Sequence, residues 1–168
     1  MLHKKFKSLR LMLLVFLTTT LLMNYVLINA YIPSGSMENT IMTGDRITGL
    51  RLIRQYHRGD IVIFPDPDGG GYYLIKRIIG LPGDNVTIKN GTVSINGTPL
   101  EEPYLKEVMR KDETFSITVP EEGYFMMGDN RNDSFDARYW ENKIVYEENI
   151  TGKAVLRYWP APSFGPVN

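Results

Sequence analysis

The sequence predicts a mainly β, antiparallel body hung from one N-terminal transmembrane helix, and three observations carry that reading. Residues 11–30, LMLLVFLTTTLLMNYVLINA, run 20 positions without a formal charge. From Tyr31 onward, short β-branched and aromatic runs alternate with turns rich in Gly, Pro, Asn and Asp. No stretch after Ala30 keeps a helical period, and no internal repeat is visible.

The apolar run comes first. As a helix rising about 1.5 Å per residue, it spans roughly 30 Å, one hydrocarbon core. Thr18, Thr19 and Thr20 fit there because a helical hydroxyl can bond back to a backbone carbonyl, whereas Asn24 and Asn29 cost more and indicate a helix that is not lipid-exposed all round. Lys4, Lys5, Lys7 and Arg10 flank it on the N-terminal side only. The positive-inside rule therefore keeps residues 1–10 in the cytoplasm and sends residues 31–168 across. A cleaved secretory signal is the competing description. Its apolar region usually runs about 7 to 15 residues and ends in an A-x-A-like site, while this run is longer and closes Ile28-Asn29-Ala30, which favours an uncleaved anchor.

The body follows. GDIVIF at 59–64, YYLIKRII at 72–79, NVTIKNGTVSINGTPL at 85–100, TFSITV at 114–119 and GYFMMGD at 123–129 read as strands. Asn90-Gly91 between VTI and VSI reads as a two-residue hairpin turn. Residues 85–122, bracketed by glycine turns, form a candidate inserted subdomain within one domain, long enough to bury a core. The chain has 19 basic and 19 acidic residues, but the basic N-terminus leaves 15 against 19 from Tyr31 on, a net of −4. A mildly acidic body argues against nucleic acid as a partner. There is no Cys, hence no disulfide, thiol nucleophile or cysteine metal site.

Catalytic options are few. With His3 on the cytoplasmic side, His57 is the one histidine of the body, so zinc would need other ligands and no metal is expected. His57 sits among Arg51, Arg54 and Arg58, a composition that describes a solvated basic turn better than a Ser-His-Asp site. A neutral lysine is the other way to activate a serine, and neutrality requires desolvation or a nearby cation. On a strand at 72–79, Lys76 shares a face with Tyr72, Leu74 and Ile78 while Arg77 points away, so its surroundings are apolar. Alone, it could equally snorkel to an acid at a sheet edge.

Two further stretches carry chemistry. In PSGSM at 33–37, Pro33 stops a helix and Gly35 permits an unusual backbone conformation between Ser34 and Ser36, although a plain juxtamembrane linker would look the same. GDNRNDSFDARYW at 128–140 packs Asp129, Asn130, Arg131, Ser134, Asp136 and Arg138 into one polar loop, in which Asp136 and Arg138 could pair.

In this order the segments resemble bacterial type I signal peptidase, the membrane-anchored serine protease that removes signal peptides from exported preproteins. The resemblance rests on the anchor, PSGSM with Thr40, GD at 44–45, RGDIVIF at 58–64, IKRIIGLPGD at 75–84 and MGDNRNDSFDARYW at 127–140. It implies an antiparallel β catalytic domain of the kind shared with LexA-like Ser-Lys proteases. It also implies Ser36 as nucleophile, Lys76 as general base, an oxyanion hole from the Ser36 N–H and the Ser34 hydroxyl, Ser134 orienting the Lys76 amine, and Asp136 and Arg138 holding the loop. The implied partners are preproteins with small residues at −1 and −3, membrane lipid and the secretion machinery, and no cofactor is implied. Asn39 stands where the family often has proline, Ala137 where serine is usual, and Glu141 where glycine is common. Two alternatives stay open, a peptidase dedicated to one substrate and a non-catalytic anchored binding domain; a self-cleaving repressor protease would need a DNA-binding domain and no anchor, and neither condition is met.

Overall fold

A computed structural model describes Leu2–Lys111 and Thr114–Val167. Helix α1 covers Leu2–Leu21 and continues as a π turn at Leu22–Val26. Its stretch Phe6–Val26 has a mean hydropathy of 1.7 with no part buried against the body. A helix apolar on every side has lipid as its natural surroundings. Thr18 Oγ1 donates to Leu14 O at 2.9 Å and Thr20 Oγ1 to Phe16 O at 2.8 Å, which removes the cost of two hydroxyls.

The helix does not reach Ala30, as the apolar run had suggested. Leu27–Tyr31 is strand β1, antiparallel to β2 (Arg46–Leu50), with Leu27 opposite Leu50 and Tyr31 opposite Arg46. An apolar run does not say whether it is helix or strand, and here pairing to a distant segment decides, burying Ile28 in the core. Asn29 consequently lies in the sheet and accepts the Thr48 hydroxyl at 2.6 Å.

The remaining strands are β3 (Ile61–Pro65), β4 (Tyr73–Gly80), β5 (Asn85–Lys89), β6 (Thr92–Ile95), β7 (Thr98–Pro99), β8 (Thr114–Thr118), β9 (Gly123–Met127), β10 (Val145–Tyr146), β11 (Gly152–Trp159) and β12 (Gly165–Pro166). A first sheet runs β1-β2-β11-β3-β4-β9-β10 with β12 beside β11, and a second runs β7-β6-β5-β8. Every pairing is antiparallel. Each run expected to be a strand contains one, and Asn90 (φ 52) with Gly91 (φ 76) makes the hairpin turn between β5 and β6. Sequence reading passed over β2 and β11. Gly49 interrupts the β signal of β2, and a Cβ there would stand 2.8 Å from Lys153 O of β11, so the glycine marks close strand approach.

Two apolar clusters fill the body. One joins Phe64, Ile78, Ile79, Phe125 and Met126 of the first sheet to Val86, Ile88 and Val93 of the second. The other gathers Ile28, Ile47, Ile61 and Ile63 around Met37 and Ile41, which anchor the turn after Pro33. Trp140 is buried edge-on to Phe64, with ring centroids 5.9 Å apart, while Trp159 and Phe164 are exposed.

Two strand edges remain open beside each other. Among the described residues, β1 ends the first sheet, and β9 pairs only with Arg77–Gly80 of β4, leaving the first half of β4 bonded to β3 alone.

Candidate active site

The turn after Pro33 brings Ser36 to the open half of β4. Glu38 N–H donates to Gly35 O at 3.0 Å and Ile41 N–H to Met37 O at 2.8 Å, closing it locally. Asn130 clamps it from the far loop, its N–H on Ser36 O and its Nδ2 on Gly35 O, both at 3.0 Å. Gly35 is not the residue with the unusual backbone. Positive φ falls on Asn39 (87°), whereas Gly35 matters because a Cβ would sit 2.8 Å from the Glu38 carboxylate. A proline ring locks φ near about −65°, so the departure from the family pattern at Asn39 goes with a different turn backbone.

Lys76 Nζ and Ser36 Oγ are hydrogen-bonded at 2.7 Å. Both side chains are buried, Lys76 to 3 % exposure, and among the described residues Ser36 is the one hydrogen-bond partner of the amine. Burial disfavours the ammonium and lowers the Lys76 pKa to about 8, with a smaller push from Arg138 and partial opposition from Asp136 and Asp129. At pH 7 about one amine in ten is then neutral, against roughly one in three thousand for an unperturbed lysine.

Arg77 points away from that pair and meets a carboxylate. Its Nε and Nη2 bond Asp129 Oδ1 and Oδ2 at 2.8 and 2.7 Å, and Thr40 donates its hydroxyl to the same carboxylate. The Asp136–Arg138 pair is bidentate at 2.8 and 2.9 Å, with Asp136 also accepting the Gly128 N–H and Arg138 donating to Arg131 O. Gly128 is required by crowding: a Cβ would lie 2.3 Å from Ser134 Oγ and 2.4 Å from Ser36 O.

The structure departs from expectation at Ser134. Its hydroxyl is buried beside the dyad but makes no hydrogen bond among the described residues, so it does not bond the Lys76 amine, which Ser36 engages instead. Ser34 is exposed and lines the same cleft as Ser36 and Lys76. Among the described residues no hydrogen bond engages the Ser36 N–H or the Ser34 hydroxyl. His57 is exposed, 3.8 Å from Asp60, and does not line the cleft. No group of three or more His, Asp or Glu side chains able to hold a metal occurs among the described residues.

The cleft, about 590 Å³, runs between Ile28–Ser34 and Tyr72–Lys76 with Ile63 at its floor and Arg51 at the anchor end. Ile32 lines it, whereas Met37 is wholly buried in the core. Sequence reasoning assigned no role to Arg77, Asp129, Thr40 or Asn130 although all stand in the quoted motifs. It missed Glu102 and Tyr104 altogether, whose only local mark is an acid pair before Pro103.

Residues 5–159 match the family model described as signal peptidase, peptidase S26. A relative from Synechocystis sp. named "Probable signal peptidase I-2" is 40 % identical over 143 residues, covering 80 % of this chain and 64 % of that protein, just under two thirds of its length. Signal peptidase I of Bacillus licheniformis is 37 % identical over 161 residues, covering 88 % of this chain and 86 % of that one. The crystal structure of a signal peptidase I from Enterococcus faecalis aligns with a TM-score of 0.53 at 36 % identity, covering 60 % of this chain and 97 % of that one. A family match over nearly the whole chain, relatives in the same family and the antiparallel β fold agree: this chain belongs to the signal peptidase family, peptidase S26.

Proposed function

We propose that this membrane-anchored peptidase cleaves signal peptides from exported preproteins with Ser36 as nucleophile and Lys76 as general base. The observation that carries the reading is the 2.7 Å contact between a buried hydroxyl and a buried amine that no carboxylate among the described residues hydrogen-bonds. Neutral Lys76 accepts the Ser36 proton as Oγ attacks the scissile carbonyl. The resulting ammonium protonates the departing amine, and a water deprotonated by the same lysine releases the acyl group. The Ser36 N–H and Ser34 hydroxyl are the donors for the oxyanion, supported by their place on the cleft and by having no other partner among the described residues. Asp136 and Arg138 hold the loop that walls the far side.

Substrate enters as an extended strand. The open edges of β1 and of Tyr73–Lys76 offer unpaired backbone groups on both walls of the cleft, and the apolar lining suits small side chains at −1 and −3. The basic flank supports a topology with residues 1–10 in the cytoplasm and the body outside, with the cleft at the outer membrane surface where a preprotein's own signal helix ends. Anchoring confines enzyme and substrate to one plane.

The test is cleavage of a preprotein carrying an A-x-A junction by the detergent-solubilised protein, with the product's new N-terminus sequenced. Cutting at the junction by the parent, lost in Ser36→Ala and in Lys76→Ala, supports the dyad. An inert parent, or full activity in Lys76→Ala, overturns it. The acidic limb of kcat/KM should rise through about pH 8, where free-enzyme Lys76 loses its proton.

A further inference from the structure

Residues 100–111, which follow β7, leave the second sheet and contact the Ser36 turn, Arg77 of β4 and the loop at Arg131–Asn132. Glu102 accepts both terminal nitrogens of Arg131, Nη1 at 3.0 Å, in a pair whose side chains are 8 % and 0 % exposed. The Tyr104 hydroxyl donates to Glu102 at 2.9 Å, and burial raises the phenol's pKa so that it keeps its proton. The Tyr104 ring lies 4.0 Å from the Arg77 guanidinium, on the residue next to Lys76. Its carbonyl accepts Asn39 Nδ2 at 3.3 Å, and Lys106 bonds Glu38 at 2.7 Å, both within the Ser36 turn. Further on, Asn132 Nδ2 donates to Glu107 at 2.9 Å and to Val108 O at 3.1 Å, while Arg110 N–H donates back to Asn132.

We propose that residues 100–111 are a positioning strap by which the second sheet holds the Ser36 turn against the Lys76 strand, with Glu102 and Tyr104 as its positioning residues. The inference rests on reading Ser36 and Lys76 as the reacting pair. An ordinary connection between two strands would satisfy its polar groups within its own turn or in water. This one instead buries an ion pair, which costs desolvation and is useful mainly for fixing relative position. The route to the nucleophile is continuous. The Tyr104 ring covers Arg77 and keeps it on Asp129, Asp129 takes the Thr40 hydroxyl, and Thr40 ends the turn that begins at Ser36. A misplacement of about 1 Å between reacting groups can cost on the order of 100-fold in rate, so removing the ring should act on turnover.

The experiment measures kcat and KM on an A-x-A preprotein for the parent, Tyr104→Leu, Tyr104→Phe, Lys106→Ala and Ser36→Ala, with far-UV circular dichroism on each. Tyr104→Leu should lose at least about tenfold in kcat with KM within about twofold, and Tyr104→Phe, which keeps the ring over Arg77, should recover to within about threefold of the parent. Parent-like kcat in Tyr104→Leu, a loss confined to KM, or a Phe variant as poor as the Leu variant overturns the strap. Should Tyr104→Leu fail to fold, Lys106→Ala decides. Its ion pair is partly exposed, so the fold survives, and kcat should fall by about two- to threefold, whereas parent-level kcat overturns the proposal. Ser36→Ala separates the two readings. An inert Ser36→Ala beside a parent-like Tyr104→Leu removes the strap alone, while an active Ser36→Ala removes the dyad and the strap with it.

Discussion

Lys76 and Arg77 are neighbours on β4, equally buried at 3 % exposure, and they are treated in opposite ways. Arg77 is given a bidentate carboxylate, a backbone carbonyl of Gly59 at 2.7 Å and an aromatic ring. Lys76 is given a serine hydroxyl. Two cations of the same sign and depth thus differ in their partners, above all in the carboxylate in contact with Arg77. A guanidinium stays charged at any working pH and must be compensated if buried, whereas a buried amine without a contacting carboxylate gives up its proton more readily. The side of β4 that carries Arg77 provides structure, and the side that carries Lys76 provides a base.

The comparison breaks most visibly in activity. Lys76→Ala and Ser36→Ala should each lower kcat on the order of 10⁴-fold with the fold retained, as when either member of a unit is removed. Steady-state cleavage beside a thermal melt reads both, and a loss of under tenfold would mean the proton has another acceptor.

On the Arg77 side the loss should be in stability. Asp129→Ala removes the charge that compensates a buried guanidinium and the acceptor of Thr40, so it should cost about 3–5 kcal/mol by urea unfolding. A cost under about 1 kcal/mol would make this an ordinary surface-type pair.

Lys76→Met sharpens the contrast by keeping the length of the side chain and removing the amine. The Lys76 pKa near 8 lies below its unfolded value near 10.5, so the unfolded chain binds the extra proton and folding is penalised at pH 7. The penalty is complete below about pH 8 and fades as the pH rises towards 10.5. Lys76→Met should therefore be more stable than the parent at pH 7, by on the order of 1–3 kcal/mol, and should lose that advantage by pH 10. The corresponding Arg77→Met, which strands Asp129, should be less stable than the parent at both pH values.

The smallest effect belongs to Ser134. Its hydroxyl is buried without a partner among the described residues, so Ser134→Ala should leave stability unchanged or raise it by under about 1 kcal/mol. A marked loss of kcat in that variant would show that the hydroxyl meets the amine or a water during turnover.

The parts of the site that sequence reading found are those whose chemistry is written locally. A lysine in an apolar alternating row declares its desolvation, and an Asp two residues from an Arg declares a pair, so Lys76 and Asp136–Arg138 were legible. Asp129 and Arg77 stood in plain view but 52 residues apart, and nothing in either segment names the other. Glu102 and Tyr104 sit in a loop with no period and little apolar character, where only the folded contacts distinguish a strap from a connector.

By itself the sequence determined the anchor, the antiparallel β class, the turn chemistry at Asn90-Gly91 and the apolar setting of Lys76, because each depends on residues within one turn or one strand of each other. The tertiary structure decided where the helix stops, since Leu27–Tyr31 is apolar enough for either state and only β2, some twenty residues on, makes it a strand. It decided that Ser36 rather than Ser134 engages the amine. It also decided which buried cation receives a carboxylate, because ion pairing at that depth is set by what distant loops bring within about 3 Å, and alternation along a strand says only which way each side chain points.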